Sequence, residues 1–318
     1  MSAVFKKIWI TGGQGFIGQR AAAEFRALGH AVFGLGHGAW RATEPAAISQ
    51  TDWLNGEIAH ANLDALANAH GAPDLVFHLA GGSAVAPSFS LPAEDFRRTV
   101  TSAADLAEWV RLRAPSARVV MASSAAVYGA DHSGLIDESA VCRPFSPYGF
   151  HKRMAELVFE SYARNFGLSV GIVRFFSVYG PGLRKQLLWD CCGRLARQPR
   201  ALELGGHGTE LRDWLHVDDG VRLMLRIGDV ASPACPVFNG GTGVATPIRD
   251  VAATLCWAWQ MPDLALRFSG AARAGDPASL VADPAAAIAL GWQPLVDWRE
   301  GLASYIAWFK AHGQRGSP

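Results

Sequence analysis

The chain has 318 residues, of which 50% are hydrophobic and 18% charged, and its formal net charge is +1. That is the composition of a globular chain with material for a large core. So small a net charge leaves no global field to recruit nucleic acid or an anionic membrane, so any anionic ligand must be held by local groups.

The N-terminal "MSAVFKKIWI" has two lysines followed by an apolar run too short for the core of a signal peptide. No stretch approaches the roughly 18 apolar residues of a membrane span. "KIWIT" reads as a buried strand. Phe16 to Leu28 has helical spacing and stops at Gly29, a suitable C′ residue. "AVFGL" and "DLVFHLA" read as further strands, the helix Ala93 to Arg113 follows, then the strand "ARVVMASS", the helix Pro147 to Asn165 and the strand "LSVGIVRFF". Strands apolar throughout and separated by helices imply a parallel sheet covered on both faces, an α/β doubly wound architecture. After about Tyr179 the rhythm changes, and turn signals such as "ELGGHG" and "FNGGTG" break up short strands and helices. Residues 1–178 plus about 213–245 are expected to form the large domain, and about 179–212 plus 246–318 a smaller mixed α/β lobe. The five cysteines, Cys142, Cys191, Cys192, Cys235 and Cys256, show no metal-ligand or redox spacing. A reducing cytoplasm is expected, with no metal.

The stretch "ITGGQGFIGQR" follows the first strand and opens the first helix. Gly12 can adopt backbone angles closed to other residues. Gly15 lets the main chain approach a pyrophosphate, and Gly18 lets the helix pack closely on the sheet. Exposed amides and the helix dipole then attract the phosphates. The three glycines therefore predict a dinucleotide site.

Their spacing is G-x-x-G-x-x-G. With "DLVFHLAGG", "MASSAAVYG", "SPYGFHK", "VRFFSVYGPG", "LRDWLHVDD", "ARAGDP" and "LGWQP" in that order, the chain resembles the extended branch of the short-chain dehydrogenase/reductase superfamily. The resemblance spans nearly the whole chain. It implies a Rossmann fold, NAD or NADP, a nucleotide-diphosphate sugar as substrate, and a homodimer built on the helices Ala93–Arg113 and Pro147–Asn165.

"SPYGFHK" sets Tyr148 four residues before Lys152, on one face of a helix. A free tyrosine titrates near 10, and a neighbouring ammonium is expected to lower that value. Tyr148 then serves as general acid or base toward a sugar oxygen. Ser124 ends a strand at the carboxyl edge of the sheet, where ligands of open α/β sheets lie, and its hydroxyl can bond the same oxygen. Lys152 would also hold the nicotinamide ribose, as its counterpart does in the superfamily. The resemblance places Phe16, Ile17 and Ile58 around the cofactor, with Leu79, Ala80, Gly81, Thr99 and Ser123. Two further residues are set aside: Tyr128, with no lysine at helical spacing, and His78, on a strand with no second ligand, read as packing residues.

An acid normally ends the second strand and holds the adenosine ribose. Here that position is Gly36, with His37 next and Arg41 close. Losing the anion and gaining nearby cations points to NADP rather than NAD. Glu57 stands where the superfamily has an acid that contacts adenine. On the substrate side, the resemblance assigns Arg212 and Arg273 to the diphosphate and nucleoside, Asp276 to a ribose, Trp214 to the base, and Gln186 and Leu187 to amide and backbone contacts; Ser83 and Ser177 complete the set. Ser177 and Thr99 each replace an asparagine usual in the superfamily.

After Ser124 come Ala125 and Ala126, where sugar 4,6-dehydratases carry an Asp-Glu pair. Neither alanine moves a proton, so dehydration is not expected. A 4-ketoreductase using NADPH is the favoured reading, with a 4-epimerase using NAD as its alternative. Two other readings are weighed: a dinucleotide-binding regulator without chemistry, argued against by the Ser-Tyr-Lys set, and a steroid or flavonoid ketone reductase, which has no use for Arg212, Arg273 and Asp276 together.

Overall fold

The computed structural model describes residues 5–37, 49, 52–271 and 276–313. Its centre is a seven-stranded sheet containing β1 (Lys7–Thr11), β2 (Ala31–Gly36), β3 (Trp53–Asn55), β4 (Leu75–His78), β5 (Arg118–Ser124) and the strands Ser169–Phe175 and Val237–Gly240. The spatial order is Val237–Gly240, Ser169–Phe175, β5, β4, β1, β2, β3, and every neighbouring pair is parallel. This is the doubly wound sheet expected from the sequence.

The strands are apolar throughout because each face needs its own cover. Ile8 and Ile10 turn to one face, where Phe77, Val120 and Val173 meet α1 (Phe16–Ala27) and the helix Val217–Val230. Trp9, between them, turns to the other face with Val76 and Val119, against α2 (His60–His70), α5 (Ser102–Arg113) and α6 (Pro147–Phe166). Trp9 lies against Trp109 there, ring centroids 5.2 Å apart. A third core gathers Tyr179, Leu188, Cys191, Cys192, Tyr305 and Phe309 in the later part of the chain.

Two expectations need correction. The helix expected over Ala93–Arg113 is not continuous. It comprises α4 (Pro92–Phe96, after a short α3, Val85–Ser90), a π-helical turn Arg97–Thr101, and α5. Such turns are an inserted register step in a helix, frequently at functional sites. Here the turn carries Thr99, whose Oγ1 accepts a hydrogen bond from Gly82 N at 2.8 Å. The second difference is at the edges of the sheet: Trp53–Asn55 and Val237–Gly240 are strands without an alternating pattern strong enough to announce them.

The segment "RDWLHVDDGVRLML" forms the strand Trp214–His216, paired in parallel with Ser177–Tyr179, and then the helix Val217–Val230, which packs on α1 and the large sheet. A four-stranded sheet runs in the order Thr246–Pro247, Leu211–Arg212, Ser279–Ala282, Leu135–Ile136. From this sheet Arg212 and Leu280 reach the cleft at the carboxyl edge of the large sheet.

Candidate active site

β1 lies between β2 and β4, so the chain leaves it in opposite directions and opens a crevice at the carboxyl ends. A cleft of about 1280 Å³ occupies that place. At one end is the glycine turn. Gly12 has φ +70, and a Cβ on it would stand 2.9 Å from Ala80 N. A Cβ on Gly18 would stand 2.5 Å from Gly12 O and 2.7 Å from Gly13 Cα. Gly18 therefore keeps the turn itself closed, which differs from the helix-to-sheet packing expected of it. Gly15 caps α1 with no side chain, and the first turn carries no acid. The amides that start α1 thus have no internal anion, and Gly15, Phe16 and Ile17 line the cleft. A dinucleotide's pyrophosphate fits this cradle.

At the end of β2, Gly36 has φ +156, and a Cβ there would lie 3.1 Å from Gly12 N and 3.3 Å from Trp53 Cη2. The missing carboxylate is accompanied by a close approach of β2 to the glycine turn. His37, Glu57 and Ile58 line this end of the cleft, with Leu79, Ala80 and Gly81 beyond them. Glu57 faces Arg97 at 3.9 Å. Arg41 lies outside the described residues. Thr99 is buried behind the wall and acts on the cleft through Gly82.

The centre is built by β5 and α6. Ser124 ends β5 and caps the short helical turn Ala125–Val127, accepting from Ala126 N at 3.2 Å. Ser146 caps α6 by accepting from Gly149 N, Pro147 follows at the first turn, and Ser88 Oγ accepts from Tyr148 N at 3.0 Å. These bonds fix the start of α6, so Tyr148, one turn before Lys152, comes close enough to Ser124 for the serine hydroxyl to act on its phenol. Lys152 is buried and donates to Ala122 O at 3.0 Å.

The expected lowering of the tyrosine is not found. Burial pushes the Tyr148 phenol up, only partly offset by the Ser124 hydrogen bond, and Asp95 adds to the rise. Burial also lowers Lys152 to about 8 against the pull of Asp95 and Glu156. The ammonium is directed at a backbone carbonyl, so it does not relieve the phenol.

Beneath this pair lies a buried network. Glu156 accepts from Arg174 at 3.0 and 2.9 Å, from Arg153 at 2.8 Å and from Ser123 Oγ at 2.5 Å. Tyr128 is fully buried, with Arg174 over its ring and its hydroxyl donating to Asn239 Oδ1 at 2.7 Å, a packing role as expected. His78 is only half satisfied: Nδ1 bonds Thr11 Oγ1 at 2.9 Å, whereas Nε2 has no partner among the described residues. Burial and the nearby Lys152 push it down to about 3, so it stays neutral.

At the far end Arg212 donates to Pro277 O at 2.8 Å and to Asp276 Oδ1 at 3.1 Å. Trp214 is nearly buried, in edge contact with Tyr179, and lines the cleft with Ser177, Gln186 and Leu187. Gln186 has φ +66, a left-handed conformation that a side chain rarely takes and that recurs at ligand sites. Ser83 also lines the cleft. Arg273 lies outside the described residues. Several cations escaped the sequence reading: Arg97, Arg98 and Arg194 line the cleft, and so does Lys185, which donates to Ser83 O at 3.1 Å and is lowered by burial. Asp95 and His151, buried beside the centre, escaped it too. The only signal for His151 was its place inside the Tyr–Lys spacing.

The model of the NAD dependent epimerase/dehydratase family matches residues 8–239, nearly three-quarters of the chain. The chain belongs to this family. A UDP-glucose 4-epimerase of Mycolicibacterium smegmatis is 31% identical over 316 residues, covering 96% of this chain and 99% of that protein. Among solved structures, MoeE5 in complex with UDP-glucuronic acid and NAD is 33% identical, with TM-score 0.83 over 96% of this chain and 99% of that one. DesIV, a dTDP-glucose 4,6-dehydratase from Streptomyces venezuelae with NAD bound, is 26% identical, with TM-score 0.87 over 98% of this chain and 99% of that one. The family is NAD-dependent and the Rossmann fold is shared with these structures; the preference for NADP drawn from Gly36 finds no support among them. No helix among the described residues is long and apolar enough to cross a membrane.

Proposed function

We propose that this protein is an NAD-dependent epimerase acting at C4 of a UDP-hexose. The observation that carries the reading is the convergence of Ser124, Tyr148 and Lys152 on one cleft that also holds the glycine turn and, at its far end, Arg212, Asp276 and Trp214. The relatives' names favour the epimerase over the 4-ketoreductase. Ala125 and Ala126 beside Ser124 supply no second acid or base, which argues against 4,6-dehydration.

In this reading Tyr148 takes the proton of the C4 hydroxyl while Ser124 keeps a hydrogen bond on the same oxygen. A nicotinamide dinucleotide held by the glycine turn and Lys152 would supply the acceptor, and then the donor, of the C4 hydride. The sugar turns as a 4-ketone, and Tyr148 gives its proton back to the oxygen on the other face. Lys152 orients the ribose and adds positive charge to the site. Arg212, with Asp276 and Trp214, anchors the nucleotide so that the sugar can turn without leaving. We also propose a homodimer, because Phe89 of α3, Leu91 between α3 and α4, and Phe150 and Leu157 of α6 are about half or more exposed. A second copy presenting the same face is the simplest cover for such a surface.

Tyr148→Phe tests the role of the phenol. Turnover should fall about 10²–10⁴-fold, the usual worth of a general acid or base, while NAD still binds. Undiminished turnover would remove Tyr148 from the chemistry.

A further inference from the structure

Lys152 is an ammonium in a buried place, and its protonation needs a counter-charge. Four charged or titratable groups on surrounding elements face it. Glu156 is on its own helix, His78 on β4, Lys185 before the helix Gln186–Leu195, and Asp95 on α4. Lys185 repels it and His78 is neutral. Glu156 is already bound by Arg174 and Arg153. Asp95 differs. Its carboxylate is buried and accepts a hydrogen bond from His151 Nδ1 at 2.5 Å, and no lysine or arginine pairs with it among the described residues. Neighbouring Glu94 is taken by Arg97 and Arg98. The edge of Phe96 closes over the imidazole, ring centroids 5.4 Å apart.

Two glycines locate the pair. A Cβ on Gly81 would stand 3.3 Å from Lys152 Nζ, and a Cβ on Gly82 would collide with Asp95 Oδ1. Successive Cα atoms are about 3.8 Å apart, so ammonium and carboxylate flank the same dipeptide of the loop after β4. His151 sits on α6 between Tyr148 and Lys152, so the imidazole that orients Asp95 is carried by the helix that carries both catalytic groups.

We propose that Asp95, oriented by His151, is a positioning residue whose carboxylate keeps Lys152 in its ammonium form. This rests on the proposed function only in taking Lys152 as the working cation. Neither residue touches substrate in this account. Asp95 acts through Lys152, and the field that supports the lysine also holds the Tyr148 proton more tightly.

The test reads Lys152 directly. The chain has five lysines, so protein labelled with ¹³C at lysine Cε gives few signals, and Lys152→Arg assigns the one of interest. In the unmutated protein its titration midpoint should lie near 8. In Asp95→Asn and Asp95→Ser it should fall by about one pH unit or more, the effect of losing an opposite charge at close range. Asp95→Glu should restore much of the difference. A midpoint unmoved in either neutral variant, with its circular dichroism spectrum native, would overturn the proposal and leave Asp95 a purely structural group. The titration needs no substrate or turnover, so its outcome stands apart from whether the protein is an epimerase.

Discussion

Tyr148 and Gly18 show what single residues contribute and how far sequence alone reveals it. The spacing of Tyr148 and Lys152 is visible in the chain, but their titration is not, because burial is a property of the fold: it raises the phenol and lowers the ammonium together. The phenol must lose its proton to act, so the field around it matters as much as its place on the helix. Gly18 makes a sharper prediction. A methyl group there meets the carbonyl of Gly12 and the Cα of Gly13, so Gly18→Ala must open the turn that cradles the pyrophosphate. Titration calorimetry should show NAD affinity reduced by about tenfold or more, equivalent to ~1.4 kcal/mol, with the far-UV spectrum unchanged. Affinity equal to that of the unmutated protein would mean that the cradle does not hold the cofactor. In the sequence His37 and Arg41 suggest attraction for a 2′-phosphate, yet the family is NAD-dependent and the solved MoeE5 and DesIV hold NAD. A missing acid at Gly36 removes a repulsion without creating an attraction.

At the scale of elements, β5 and α6 are tied together by Glu156. Its carboxylate joins Ser123 at the end of β5, Arg153 on its own helix and Arg174 on the next strand. Glu156→Gln leaves Arg174 buried without its counter-ion and should destabilise the fold by about 3–5 kcal/mol, read as a fall in the urea midpoint. A change below about 1 kcal/mol, the scale of a surface pair, would show that the network is not what holds β5 to α6. The strands of this region were legible because both of their faces are buried, which leaves an unbroken apolar run. α6 was legible from its cap and its spacing. The break between α4 and α5 was not, since it serves a bond from Gly82, in the loop after β4, to Thr99, which no local pattern announces. Short strands such as Trp53–Asn55 and Leu135–Ile136 carry too few residues for a period to show, and their pairing is decided by partners far along the chain.

For the whole molecule, the exposed apolar residues of α3, α4 and α6 predict association. A chain of 34.0 kDa should elute as a species of twice that mass in light scattering at micromolar concentration. The double variant Phe150→Asp/Leu157→Asp should return it to a monomer, because both side chains lie on the exposed face of α6. A wild-type monomer would contradict the proposed assembly. The sequence could not place Lys185, Asp95 or His151 in the cleft's surroundings, because each comes from a different element and comes near Lys152 or its neighbours only when the sheet, α4 and α6 have closed.

The central claim is that one tyrosine serves both faces of a sugar carbon while hydride leaves and returns within one site. The most direct measurement is proton and deuterium NMR of UDP-glucose carrying deuterium at C4, incubated with the protein and catalytic NAD. The account predicts an equilibrium mixture of the two C4 epimers, deuterium retained at C4 in both, and no net change in reduced cofactor. Absence of the second epimer across UDP-glucose and UDP-glucuronic acid, or its formation with the label lost to solvent, would contradict it.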